Sequence, residues 1–165
     1  RVKVKSLGDT VGCTITAHHL SLIVDDWAGK NHRFCKPVAK YPHDRAALRE
    51  VVAQGHPRFF LGSDSAPHAR EMKECAHACA GVFTSPALIP YVAAVFEEMG
   101  ALDKLKGFVC DNGRRFYGIA QPTADDGTIE LVKTGAPVAD VYAEGSLTVV
   151  PFRAGEAIGW EVHTH

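Results

Sequence analysis

No apolar run in the 165-residue sequence approaches the ~18 residues of a membrane-crossing helix, and no basic–apolar–small pattern opens it. Neither a membrane partner nor a secretory leader is expected. Charge of one sign is missing too. Lys plus Arg is 18, Asp plus Glu is 19, and the formal net charge is −1. Lysines and arginines are spread along the chain without a basic patch, which argues against a nucleic-acid partner. Cysteine is sparse and odd in number: Cys13, Cys35, Cys75, Cys79 and Cys110 form no dense framework, so a reduced, cytoplasmic compartment is expected. There is no internal repeat, no low-complexity tract, no glycine-rich phosphate loop and no GxSxG elbow.

What is present is ordinary globular material, 46% hydrophobic and 22% charged. A chain this long buries roughly 70% of its unfolded surface, enough for one core. It is short of the about 250 residues of a complete (β/α)8 barrel. Its first residue is Arg, which reads as a processed protein or a fragment.

Arg1–Gly8 reads as a helix end, with Lys3 and Lys5 near its C-terminus and Gly8 as the cap. Val11–Thr16 is apolar and β-branched and reads as a buried strand. Ala17–Tyr41 holds Gly29 and Pro37 and reads mostly as loop, long enough to be functional. A helix is expected over Asp44–Gln54, capped by Asp44, and a second strand over Arg58–Gly62. A polar loop follows from Ser63 to Thr84. Ser85 then suits an N-cap and Pro86 a first helical position, ahead of Leu88, Tyr91, Val92, Val95, Phe96 and Met99 at helical spacing. A further helix is expected over Leu102–Asn112, with Leu105, Phe108 and Val109 inward. Thr128–Val132, Leu147–Phe152 and Gly159–His163 have strand composition and form a small β-rich tail.

Strand, loop, helix, strand, loop, helix is the order of parallel βα units, whose sites form at the carboxyl ends of the strands. Polar chemistry gathers there. After the second strand comes Leu61-Gly62-Ser63-Asp64-Ser65-Ala66-Pro67-His68. Asp64 there is suited to bind a metal through oxygen or to act as general base, and His68 to hold an anionic substrate; a loop cap and a surface histidine are the plainer readings. His18 and His19 follow the first strand. Neighbours on a strand face opposite ways, so at most one would face a site, and packing or hydrogen bonding is the preferred reading of both. Cys75-Ala76-His77-Ala78-Cys79 resembles a zinc knuckle, but structural zinc usually takes four ligands in tight pairs, so incidental thiols are preferred. Lys36 and Lys40 read as solvated charge, and His163 and His165 as a frayed terminus.

From Phe60 to His68 the sequence resembles dihydroorotase, of the homodimeric class found in bacteria and fungi. The likeness extends to Thr14-Ile15-Thr16 with His19-Leu20, Cys79-Ala80-Gly81, Ala94-Val95-Phe96-Glu97-Glu98-Met99, Asn112-Gly113 with Phe116-Tyr117-Gly118, Val150-Pro151-Phe152 and Gly155-Glu156. Nearly the whole chain is covered; Arg1–Lys5 fit least well.

The resemblance implies the C-terminal part of a metal-dependent (β/α)8 barrel with a small β-rich tail. Residues 1–120 would be its last strands and helices, and residues 121–165 an extension packed on the same domain. It implies a zinc-dependent interconversion of N-carbamoyl-L-aspartate and L-dihydroorotate, in pyrimidine synthesis, by a cytoplasmic homodimer with two zinc ions per site. Asp64 matches the aspartate that binds zinc and shuttles the proton, and His68 a contact to the substrate carboxylate. Ala80 matches a position in the substrate-binding loop. Lys36 stands where the family often has Leu, at a backbone contact. The family's other metal ligands have no counterpart here, so the chain by itself is expected to be inactive. Alternatives are another cyclic amidohydrolase, of hydantoinase or allantoinase type, or a non-catalytic zinc-binding scaffold.

Overall fold

A computed structural model of the chain describes residues 3–164, and Arg1, Val2 and His165 lie outside it. The first turn, Lys3–Ser6, is a short 3-10 helix. Two three-residue strands follow at a distance in sequence. β1 (Cys13–Ile15) and β2 (Phe59–Leu61) pair in parallel, Cys13 opposite Phe59 and Ile15 opposite Leu61. Both are shorter than the apolar runs suggested. Thr16 leaves β1 because its hydroxyl caps the next helix, accepting the His19 N–H at 3.2 Å.

That next helix corrects the expectation of loop over Ala17–Tyr41. The segment contains α1 (Ala17–Ser21), α2 (Val24–Trp27) and a 3-10 turn at Asn31–Arg33. Each is too short to show a period. α3 (Pro42–Ala53) then carries the chain back to β2. Asp44 is not the capping residue; it stands two residues inside the helix, where its carboxylate accepts the Tyr41 N–H at 3.3 Å. Pro42 takes the first helical position.

The long loop after β2 also holds a helical turn, α4 (Arg70–Lys73). Ser85–Ala87 form a 3-10 turn that leads into α5 (Leu88–Glu98), whose Tyr91, Val92, Val95 and Phe96 are all buried, as their spacing predicts. The helix expected over Leu102–Asn112 is broken into a 3-10 turn at Leu102–Lys104, a π-helical stretch at Gly107–Asp111 and α6 (Asn112–Tyr117). Leu105 and Phe108 do face inward. The buried Asn112 donates to the Phe59 carbonyl at 3.2 Å, which fastens α6 to β2.

The remaining strands are antiparallel. β3 (Ile129–Lys133) pairs with β6 (Trp160–Thr164), and β4 (Tyr142–Glu144) with β5 (Leu147–Val149). His163 is not frayed: it lies in β6, its Nε2 2.8 Å from Glu161. Phe152, buried at 1% exposure, docks this β-rich segment on α5. Its N–H donates to the Phe83 carbonyl at 2.8 Å, its carbonyl accepts the Tyr91 hydroxyl, and the two rings meet edge to face at 5.2 Å. Trp160 Nε1 donates to Glu97 at 3.0 Å on the same helix. The fold is mixed α/β around one hydrophobic cluster that runs from Ile15 and Phe59 through α5 to Phe152 and Ile158. Among the described residues no helix is long and apolar enough to cross a membrane.

Candidate active site

Asp64 stands three residues beyond β2 with a left-handed backbone, φ +41°, a conformation aspartate tolerates better than most residues. Its side chain is 57% exposed, and no hydrogen bond ties its carboxylate among the described residues. Beside it stands His18, whose Nε2 lies 3.9 Å from Oδ2. His18 is fully buried, and neither of its ring nitrogens has a hydrogen-bond partner. Burial, with His19 beside it, pushes its pKa down to about 3, so the ring is neutral. Buried polar atoms without partners are rare, and their position next to an open carboxylate marks this end of the strands as a site.

His18 and His19 are not on a strand but on α1, so the alternation argument does not apply to them, and their rings lie 4.7 Å apart. His19 is tied down. Its Nε2 lies 2.8 Å from the Pro37 carbonyl, which can only accept, so Nε2 carries the proton. Its Nδ1 then accepts from the Thr16 hydroxyl at 2.7 Å. Here the hydrogen-bonding reading of the sequence holds. With Cys35, the two histidines offer potential ligand atoms within 4.8 Å of one another. Both His19 nitrogens are already engaged, however, and burial pushes the Cys35 thiol up, away from thiolate.

His68 turns back onto the following loop. Its Nε2 donates to the Ala80 carbonyl at 3.1 Å, which joins two residues singled out from the sequence. Gly81 makes this approach possible: a Cβ there would stand 2.6 Å from the Ala66 carbonyl and 2.8 Å from the His68 ring, and its φ is +153°. The loops are stitched at further points. Ser65 Oγ accepts the N–H groups of Thr84 and Ser85 at 3.1 and 3.0 Å, and Ala66 N–H bonds the Val82 carbonyl at 3.0 Å. Lys36 is exposed in the segment between Cys35 and Pro37. That segment is held by the Gly81 N–H, which donates to the Phe34 carbonyl at 2.9 Å.

Two features went unnoticed in the sequence. One is the pairing of His18 with Asp64. The other is Lys73, a buried lysine whose ammonium lies among the carbonyls of Phe34, Cys79 and Gly81. Neither had a sequence signal, since spacing does not reveal which lysine is buried. The Cys75–Cys79 stretch does not assemble as a metal site: Cys75 is exposed with its Sγ toward the Met72 carbonyl, and Cys75, His77 and Cys79 form no ligand group among the described residues.

A parallel βαβ unit with an open carboxylate and imidazoles beyond the carboxyl ends of its strands is the site-bearing end of an α/β enzyme fold. No family model matches the chain. It is 46% identical to the dihydroorotase of Mycosarcoma maydis over 96% of its length, and 46% identical to that of Saccharomyces cerevisiae over 92%. Among solved structures it matches the S. cerevisiae dihydroorotase in complex with 5-fluoroorotic acid, with a TM-score of 0.90 and 42% identity over 99% of the chain. It matches the Campylobacter jejuni dihydroorotase with a TM-score of 0.84 and 32% identity over 97%. Over nearly its whole length the chain is similar to these dihydroorotases. It spans about half the length of the relatives it matches, 52% and 43% of the two curated proteins and 47% and 46% of the two solved chains.

Proposed function

We propose that this chain is the C-terminal portion of a dihydroorotase that interconverts N-carbamoyl-L-aspartate and L-dihydroorotate. In this reading β1 and β2 are the last two strands of a (β/α)8 barrel, residues 1–120 belong to that barrel, and residues 121–165 are an extension packed on it. The observation that carries the reading is the arrangement beyond β2: a free carboxylate at Asp64, with His68 folded back onto Ala80. The complete enzyme is proposed to be a cytoplasmic homodimer with two zinc ions per site.

The residues present suit a share of such a centre. Asp64 offers an oxygen ligand with no competing hydrogen bond, and the unpartnered nitrogens of His18 lie beside it. Asp64 would hold the metal, and the further ligands would come from residues outside this chain. Zinc, when bound, lowers the pKa of a bound water and polarises the amide carbonyl.

The chain's own residues then have defined tasks. In ring opening the attacking oxygen loses a proton as the ring nitrogen, released from the amide carbonyl, becomes the terminal NH2 of the carbamoyl group. Asp64 takes that proton on its carboxylate and returns it to the leaving nitrogen; such a transfer contributes about 10²–10⁴-fold. His68 donates Nε2–H to the Ala80 carbonyl, which leaves its Nδ1 edge free to contact the substrate carboxylate. Ala80 and the backbone at Lys36 orient the ring.

The test is turnover by the complete enzyme. It should hydrolyse dihydroorotate far faster than hydantoin or allantoin, and should lose activity on chelation. Preference for hydantoin or allantoin would move the chain to another cyclic amidohydrolase.

A further inference from the structure

Lys73, the last residue of α4, is only 3% exposed. Its ammonium donates to the carbonyls of Gly81 at 2.7 Å, Cys79 at 2.8 Å and Phe34 at 3.3 Å, and it lies 6.0 Å from the centre of the Phe34 ring. All three N–H donors are used on backbone. No carboxylate forms an ion pair with it among the described residues, and its neighbours Cys35 and Cys79 are thiols. A buried cation without a counter-charge carries a desolvation cost that an apolar residue of similar size would not. Its position shows what it does for the site.

A trans peptide is planar, with C=O and N–H pointing opposite ways. The Cys79 carbonyl faces the ammonium, so the Ala80 N–H points away from it. The same holds for the Gly81 carbonyl and the Val82 N–H, and for the Phe34 carbonyl and the Cys35 N–H. The Ala80 N–H has no acceptor among the described residues, while the Ala80 carbonyl is held by His68. Lys73 thus gathers the negative ends of three peptide dipoles and turns their positive ends outward. Oriented N–H groups backed by a buried positive charge favour an anion. The same ammonium ties the Phe34–Pro37 segment to the Cys79–Gly81 loop, the two stretches that carry Lys36 and Ala80.

We propose that Lys73 is a positioning residue for the anionic substrate: it never touches the substrate, but fixes the direction of the Ala80 N–H and the spacing between the Phe34–Pro37 and Cys79–Gly81 segments. This rests on the dihydroorotase reading and deepens it.

The experiment uses the complete enzyme, with 5-fluoroorotic acid as binding probe and dihydroorotate as substrate. Loops displaced by ~1 Å typically cost up to about 10²-fold. Lys73→Met should raise the Kd for 5-fluoroorotic acid and the KM for dihydroorotate about ten- to hundredfold. kcat should stay within about fivefold, and zinc content should not change. Lys73→Arg keeps the charge and donors, and should recover part of the loss. A folded Lys73→Met enzyme with unchanged Kd and KM overturns the proposal, as does a fall in kcat and zinc content without a rise in KM. If the Met variant does not fold, Lys73→Gln takes its place; failure of both to fold makes Lys73 a folding residue and also overturns it. Failure of the function reading looks different. A wild-type enzyme that neither binds the probe nor turns over dihydroorotate overturns both claims, whereas an active wild type with an indifferent Lys73 overturns only this one.

Discussion

Replacing Tyr91 by Phe removes one oxygen from the place where the β-rich segment meets α5. Tyr91 is 1% exposed, and its hydroxyl is the donor to the Phe152 carbonyl. The substitution keeps the ring and its edge-to-face contact with Phe152. It leaves a buried carbonyl without that donor. A lost hydrogen bond with one partner left unsatisfied costs about 1–3 kcal/mol. The Phe152 N–H bonds Phe83 and the Gly155 N–H bonds Val138, so local opening of this segment is read at those amides. At RT of about 0.59 kcal/mol the cost corresponds to about 5- to 150-fold faster hydrogen exchange there, with α3 much less affected. Alkaline pH gives an independent check. Burial pushes the Tyr91 hydroxyl well above its ordinary value, so the folded state favours the neutral phenol. A raised pKa stabilises below the unfolded value, about 10, and that stabilisation is lost as pH rises beyond it. Above pH of about 10 the wild type should therefore loosen more steeply than the Phe variant. Equal exchange at Phe152 in both proteins, or equal alkaline sensitivity, would refute the argument that this hydroxyl anchors the segment.

Four further outcomes are expected. Asp64→Asn in the complete enzyme should abolish turnover without unfolding it, because the amide keeps the volume but loses the charge and the proton site; activity retained within about tenfold, in a steady-state assay, would contradict the acid–base role. His68→Ala should weaken dihydroorotate binding more than zinc binding, and zinc loss by elemental analysis would show that its role was misassigned. Gly81→Ala should distort the Ala80 loop, since its Cβ would stand 2.6 Å from a backbone oxygen at φ +153°. The strain is about 1–3 kcal/mol, and an unchanged KM would show that the loop does not shape the substrate site. The 165-residue chain alone should neither hydrolyse dihydroorotate nor hold two zinc ions, and should self-associate through the open edges of β1 and β2. A monodisperse monomer with two zincs and turnover, by sedimentation and metal analysis, would sink the fragment reading.

The sequence by itself determined what depends on local pattern. The apolar runs around Thr14 and Phe60 located the parallel pair, because strands covered on both faces must be apolar throughout. The spacing from Leu88 to Met99 located α5, because a buried helix face repeats every 3.6 residues. The motif from Phe60 to His68 pointed to the dihydroorotases, and the likeness of the whole chain agrees. Short or uniformly exposed pieces stayed hidden. α1 has five residues, and β4 exposes all three of its side chains, so neither shows a period. Tertiary structure alone decided which polar groups are buried. A lysine in Arg-Glu-Met-Lys looks solvated until carbonyls from the loop just after it and from Phe34, far back in the chain, converge on it, as they do on Lys73. His18 and His19 are adjacent and chemically identical in the sequence, yet one is held by Thr16 and Pro37 while the other lies buried and unpartnered beside Asp64. Several of these contacts, Lys73 with Phe34, His19 with Pro37 and His18 with Asp64, join residues far apart in the chain, and burial is set by what packs around a side chain rather than by its neighbours in sequence.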